Sequence, residues 1–189
     1  MIIYLEGVDG TGKTTLANAL ADRIEQLKTA YNITKIVKNG ESLINTHPLR
    51  PNRLTENELL TQFYQMTVDL STIYICNRGP ISDIIYRAYD EYSTVTTLEN
   101  FWVFWMAHQH IFICVHCDSD KSEELMKQRG DDNPVAHAKY QELRYWYKQI
   151  CPLFNAVKYD VGTMGHNMSE PINKILARLW TGLRQWKIR

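Results

Sequence analysis

Gly7-Val8-Asp9-Gly10-Thr11-Gly12-Lys13-Thr14 fits the pattern G-x-x-x-x-G-K-[ST] at every fixed position. That spacing binds phosphate for physical reasons. Glycines let successive backbone N–H groups turn toward one anion, a lysine reaches the β- and γ-phosphates, and a hydroxyl ligates Mg²⁺. Lys13 and Thr14 take the last two places, and Asp9, Gly10, Thr11, Gly12 and Thr15 complete the expected contact with ATP. The flanks agree with this reading. Ile2-Ile3-Tyr4-Leu5-Glu6 is β-prone, and Leu16, Leu20, Ile24 and Leu27 recur at helical spacing between Lys13 and Lys28. Strand, loop and helix therefore follow in the order that points a helix N-terminus, with its dipole and open N–H groups, at the phosphates.

The rest of the chain must hold that loop in place. Asn32 to Lys38 reads as a second strand ending at Asn39-Gly40, and Glu41 to Thr55, marked by His47-Pro48 and Arg50-Pro51, reads as a loop that reaches over a substrate. A helix resumes at Glu56, with Leu59, Phe63, Met66 and Leu70 on one face. Ile73 to Cys76 is a buried strand closed by Asn77-Arg78-Gly79-Pro80, and Ile81, Ile84, Ile85, Ala88 and Tyr89 mark the helix after it. Leu98 to His108 is rich enough in Trp and Phe that it should be mostly buried. Ile111 to Cys117 is the next strand, and Asp118-Ser119-Asp120 should cap a helix running to about Arg129. Gly130 to Pro134 has the character of a flap before a long helix through Tyr140 and Tyr147. Ala156 to Val161 forms a last strand, and Ile172, Ile175, Leu176, Leu179 and Leu183 give the closing helix its buried stripe. This alternation predicts an α/β protein with a five-stranded parallel sheet and helices on both faces.

At 189 residues with 44% hydrophobic composition the chain suits a single domain spanning 1–189. Its 21 basic and 21 acidic residues cancel, so no overall charge draws it to nucleic acid or to an anionic membrane, and anionic ligands must be met by local clusters. No apolar run is long enough to span a bilayer, and four cysteines make no disulfide-dense framework, so a soluble, cytoplasmic protein is expected. Cys114 and Cys117 have the C-x-x-C spacing, but strand positions three apart face opposite sides of a sheet and no second pair follows. Tyr145-Trp146-Tyr147 reads as helix packing rather than a stacking platform.

With Leu5 to Thr15 and Asn77-Arg78-Gly79-Pro80-Ile81-Ser82-Asp83-Ile84-Ile85-Tyr86 both in view, the chain resembles thymidylate kinases and their deoxynucleoside kinase relatives over nearly its whole length. The acid in the middle of the loop, Asp9, is typical of thymidylate kinases. The resemblance implies a P-loop NTPase three-layer fold with a helical lid at about 119–137, and a homodimer through helices such as the one bearing Phe101 to Trp105. It also implies ATP with Mg²⁺, and transfer of the γ-phosphate to a deoxynucleoside monophosphate. Asp9 would hold the sugar 3′-hydroxyl of that acceptor, Arg78 its phosphate and Tyr86 the deoxyribose face, while Phe63 could stack on the base.

The sequence departs from the family in three places. Asn77 replaces the acid of an Asp-Arg pair, Leu59 to Asp69 contains no base-reading arginine, and Gly10 stands where some members carry an arginine. The lid must then supply the cation for the transferring phosphate, and Arg129, with Lys127 near it, sits where the lid should be. Lys13, Arg78 and Arg129 would surround the phosphates. A hydroxyl acceptor, such as a deoxynucleoside 5′-OH or the hydroxyl of a hydroxymethylated pyrimidine in a nucleotide or DNA, would need a base, for which Glu6 is the best-placed carboxylate. Nucleic acid is a partner only on that alternative. Plainer readings stand beside these: Glu6 could cap neighbouring N–H groups, Arg78 could pair with an acid in a turn, Arg129 could be a solvated helix end, and Tyr86 and Phe63 could be core.

Overall fold

Ile2-Ile3-Tyr4-Leu5-Glu6 shows little alternation of apolar with polar residues, the mark of a strand covered on both faces, and forms β1 (Ile2–Glu6), buried at every position. The computed structural model describes residues 1–38, 61, 65, 71–87, 98–109, 111–129, 139–160 and 168–186. After β1 come α1 (Lys13–Tyr31), β2 (Lys35–Lys38), β3 (Thr72–Asn77), α2 (Pro80–Arg87), α3 (Leu98–His108) and β4 (Phe112–Asp118). The chain continues through α4 (Ser122–Arg129), α5 (Tyr140–Ile150), a short 3-10 turn (Cys151–Phe154), β5 (Val157–Asp160) and α6 (Ser169–Trp186).

The five strands form one sheet in the order β2-β3-β1-β4-β5, and every pairing is parallel. β1 is central, so the segment leaving its carboxyl end lies between the ends of β3 and β4. α1 packs on β1, β2 and β3 and against α6, which covers β4 and β5, while α2 packs against α5. Since β1 and β4 are buried throughout, both faces of the middle of the sheet are covered.

Three boundaries differ from the sequence reading. Asn32 belongs to the end of α1, not to a strand: at φ 55° it adopts the left-handed C-cap, which asparagine tolerates, and its N–H closes on Lys28 and Thr29. Pro80 opens α2 instead of finishing the preceding turn, because the N–H that proline lacks has no intrahelical acceptor at the first helical position. Of the expected capping segment Asp118-Ser119-Asp120, Asp118 is the last residue of β4, while Ser119 Oγ accepts from the Lys121 N–H at 3.2 Å just before α4.

Two aromatic segments are less buried than expected. On α3, Trp105 is 8% exposed and packs edge-on against Phe154, but Trp102, Val103 and Met106 are 36%, 65% and 48% exposed. A lone helix buries only one stripe against a sheet, so a helix apolar all round leaves its other side to solvent or to a partner. α5 buries Tyr140, Leu143, Tyr147 and Ile150 at helical spacing and leaves Tyr145 and Trp146 outside. The expected loop from Glu41, the helix from Glu56 with Phe63, and the flap at 130–134 lie outside the described residues.

Candidate active site

The loop leaving β1 is shaped by glycines at two places where nothing else fits. Gly7 (φ 145°) would place a Cβ 2.1 Å from the Cys117 carbonyl oxygen, and Gly10 (φ 78°) would place one 2.2 Å from that of Ser122. The loop therefore lies directly on the end of β4 and the start of α4. Thr11 Oγ1 closes it by donating to Val8 O at 2.8 Å. Gly12 is the N-cap of α1 with no side-chain cap, and the first turn carries no acidic residue, so that turn presents open N–H groups and the positive end of the helix dipole. Thr14 and Thr15 are exposed there.

Lys13 Nζ bridges the loop, donating to Gly7 O at 3.0 Å, Val8 O at 2.6 Å and Thr11 Oγ1 at 3.3 Å. Burial, with the Arg78 charge adding to it, lowers its pKa to about 8. A polyanion in the loop would offset both effects.

Arg78 reaches the same loop from the end of β3. Its Nη1 donates to Gly7 O at 3.2 Å and to the Tyr147 hydroxyl at 3.0 Å, and its Nη2 pairs with Asp9 at 2.5 Å. The guanidinium also lies 4.9 Å from the centroid of the Tyr86 ring. Burial opposes its charge, but Tyr147, Tyr86 and Asp9 together hold its pKa above the ordinary arginine value. Its backbone is left-handed at φ 69°, a conformation that a non-glycine residue keeps only when its surroundings enforce it. Lys13, the first residue of α1, and Arg78, just past β3, thus bond one carbonyl oxygen, which fixes the two cations within two hydrogen-bond lengths of each other.

Glu6, fully buried, accepts from the N–H groups of Ile81 (3.2 Å) and Ser82 (3.1 Å) and from the Ser82 hydroxyl. It caps the N-terminus of α2, where a carboxylate is favoured. Burial raises its pKa, while the Ser82 hydrogen bonds and the Arg78 charge oppose the rise. Ser82 Oγ passes the network on to the Tyr147 hydroxyl at 2.7 Å, so Glu6, Ser82, Tyr147, Arg78 and Asp9 form one chain of polar contacts. Tyr147 was missed by sequence reasoning. Its one signal was a tyrosine on the buried stripe of α5, where a hydroxyl must find a partner.

At the end of β4, Asp118 accepts from Arg144 Nε at 2.6 Å and pairs with Lys148 at 3.2 Å, and Arg144 also pairs with Asp120. Burial alone would raise the Asp118 carboxyl, but these cations pull it below the usual range. His116, stacked on Tyr147, is kept neutral by burial, which lowers its pKa to about 4. α4 and α5, which flank the expected flap, are joined by Ser122 with Tyr140 and by Gln141 donating to Glu123 at 2.7 Å. Lys127 pairs with Glu123 one turn back and is a solvated helix residue. Arg129 ends α4, and its side chain lies outside the described residues, as does Phe63.

For Mg²⁺, the donor set is one hydroxyl, Thr14 Oγ1, with Asn77 Nδ2 at 3.3 Å from it. A hard cation that keeps several waters and takes its remaining oxygens from phosphates fits such a site. Among the described residues no group of three His, Cys, Asp or Glu side chains could hold a metal alone.

A parallel sheet whose central strand runs through a glycine loop onto an uncapped helix N-terminus, with a lysine inside the loop, defines a phosphate-binding α/β protein of the P-loop class. No family model matches the chain, and no curated protein matches it. Among solved structures, the YorR protein of Bacillus subtilis in complex with phosphorylated GDP matches with a TM-score of 0.65 over 94% of each chain at 17% identity. Deoxyadenosine kinase from M. mycoides, with products dCMP and dCDP bound, matches with a TM-score of 0.51 over 95% of this chain and 98% of its own at 14% identity. At these identities the likeness is one of fold, an α/β fold with a parallel sheet shared with both proteins.

Proposed function

We propose that the chain transfers the γ-phosphate of ATP to a deoxynucleoside monophosphate, giving the diphosphate. One observation carries the reading: Lys13 and Arg78 meet at the Gly7 carbonyl oxygen, so a cation for the donor phosphates and a cation for an acceptor phosphate face one point. Phosphoryl transfer asks little more of a protein than in-line positioning and charge around the moving group. Mg²⁺, held by Thr14 and the ATP phosphates, would neutralise charge that develops between them. In this reading Arg78 turns from Asp9 to the acceptor phosphate, Asp9 is released to the sugar 3′-hydroxyl, and Tyr86 and Phe63 border the sugar and base. The bound nucleotides of the two solved neighbours are ligands of that size and chemistry.

A monophosphate needs no strong base, and the described carboxylates around the loop are engaged elsewhere. Glu6 caps α2, Asp9 pairs with Arg78, and Asp118 pairs with Arg144 and Lys148. Glu6→Gln is therefore expected to lower kcat by less than about tenfold, against roughly 10²–10⁴ if Glu6 abstracted a proton from a hydroxyl. Deoxynucleoside monophosphates should react at least about tenfold better in kcat/KM than matching nucleosides or DNA, a difference of ~1.4 kcal/mol. A preference for any hydroxyl acceptor in that panel overturns the proposal.

The lid, about 119–137, closes over the phosphates in this reading, and Arg129 supplies its cation. Arg129→Ala should then lower kcat with little change in KM for ATP, and an unchanged kcat removes it from the mechanism. The exposed Trp102, Val103 and Met106 of α3 support a homodimer through that helix, which sedimentation equilibrium would refute by returning the 22.1 kDa monomer mass. Four free, buried cysteines support a cytoplasmic setting. No helix among the described residues is long and apolar enough to cross a membrane.

A further inference from the structure

Asn77 ends β3 and stands in register beside Leu5 of β1, so its side chain emerges next to the phosphate loop, where Nδ2 donates to Thr14 Oγ1 at 3.3 Å. In P-loop proteins Mg²⁺ is held by the loop Ser or Thr together with an aspartate. Asn77, the described side chain hydrogen-bonded to Thr14, is a carboxamide: it is neutral, and it turns an N–H rather than a lone pair toward the metal-binding hydroxyl.

The described acids around the loop do not replace the missing charge. Glu6 is buried under α2 and receives three hydrogen bonds, Asp9 is paired with Arg78, and Asp118 is held by Arg144 and Lys148. Lys13 and Arg78, the described cations beside the loop, are hydrogen-bonded to the carbonyls of Val8 and Gly7. Resting on the phosphate-loop reading above, we infer that Asn77 makes this a nucleotide site indifferent to metal, which binds metal-free nucleotide nearly as tightly as the magnesium complex.

The electrostatics are direct. A carboxylate at position 77 would repel an uncomplexed polyphosphate and attract the cation, penalising the first ligand and favouring the second. A carboxamide carries no net charge to repel the polyphosphate, and its oxygen attracts a cation more weakly than a carboxylate does. Among the described residues, discrimination between the two forms then falls to two neutral groups, the Thr14 hydroxyl and the Asn77 carboxamide. Two consequences follow: Mg²⁺ enters and leaves as part of the nucleotide complex, and nucleotide in excess of Mg²⁺ occupies the loop as a competitor of the productive complex. Turnover therefore depends on the ratio of Mg²⁺ to nucleotide and not only on the nucleotide concentration.

Calorimetric titration with ADP tests this without any acceptor or turnover, on the wild type, Asn77→Asp and Asn77→Ala, each in EDTA and in saturating Mg²⁺. The wild-type Kd is expected to differ by less than about threefold between the two conditions, and that of Asn77→Asp by about tenfold or more, tighter with Mg²⁺. Asn77→Ala should behave as the wild type, which assigns the effect to the absent charge and not to the amide. A wild-type ratio above tenfold overturns the inference whatever the variants do, and leaves the phosphate-loop reading intact. A folded Asn77→Asp with the wild-type ratio also overturns it. Failure of the wild type to bind ADP under either condition would remove the phosphate-loop reading and this inference with it.

Discussion

Lys13→Ala is expected to leave the fold intact and to reduce kcat/KM at least tenfold, with the loss in kcat as well as in ATP binding. The ammonium group is the only described cation inside the loop, and it has three hydrogen-bond partners there, two of them backbone carbonyls. Removing it takes away the positive charge aimed at the β- and γ-phosphates and leaves the carbonyls of Gly7 and Val8, still bonded to Arg78 and Thr11, without that charge beside them. The loop should hold its course, because Gly7 and Gly10 rest on the backbone of Cys117 and Ser122 and Thr11 closes onto Val8. Unchanged circular dichroism with lost transfer is thus the expected pair of results. Retention of more than about a tenth of kcat/KM, a change of only ~1.4 kcal/mol, contradicts the phosphate-loop mechanism.

Arg78→Ala should act on the acceptor rather than on ATP. A charged hydrogen bond contributes about 1.5–3 kcal/mol, so KM for the acceptor is expected to rise roughly ten- to a hundredfold while the Kd for ADP stays within about threefold. Stability should fall as well. The substitution removes one partner each from the Tyr147 hydroxyl, Asp9 and Gly7 O, although Tyr147 keeps Ser82 and Gly7 O keeps Lys13, and a hydrogen bond to a charged group contributes about 1.5–3 kcal/mol. Arg78→Lys separates the two effects. It restores a charge but not the fork that spans Asp9 and Tyr147, so KM should recover in part while the melting temperature stays low. A variant whose acceptor KM is unchanged while its stability drops would make Arg78 a structural residue only.

What could be read from the chain and what could not divides by the range of the interactions. The phosphate loop is legible because its geometry is set within eight residues, and the five strands because apolar runs need no partner to be recognised. Asn32 was misassigned because its left-handed cap extends the helix beyond the apolar spacing. The partners of Glu6 and Asp118 are not legible in the sequence because they lie 75 and 26 residues away. Glu6 as a cap is now shown by the N–H groups of α2, and Asp118, read as a helix cap, is a partner of Arg144. Tyr147 looked like core and is core, but the packing of α5 against α2 also sets its hydroxyl between Ser82 and Arg78. No local pattern in the sequence encodes that placement.

The central claim is that phosphate moves from ATP onto phosphate. Its most direct test is to incubate the wild-type protein with ATP labelled at the γ-position and each deoxynucleoside monophosphate, and to locate the label by ³¹P NMR or by chromatography. The account predicts a deoxynucleoside diphosphate carrying the label at its β-phosphate. Label recovered on a 5′-monophosphate made from a nucleoside, on a base hydroxyl, on DNA, or only as inorganic phosphate would contradict it.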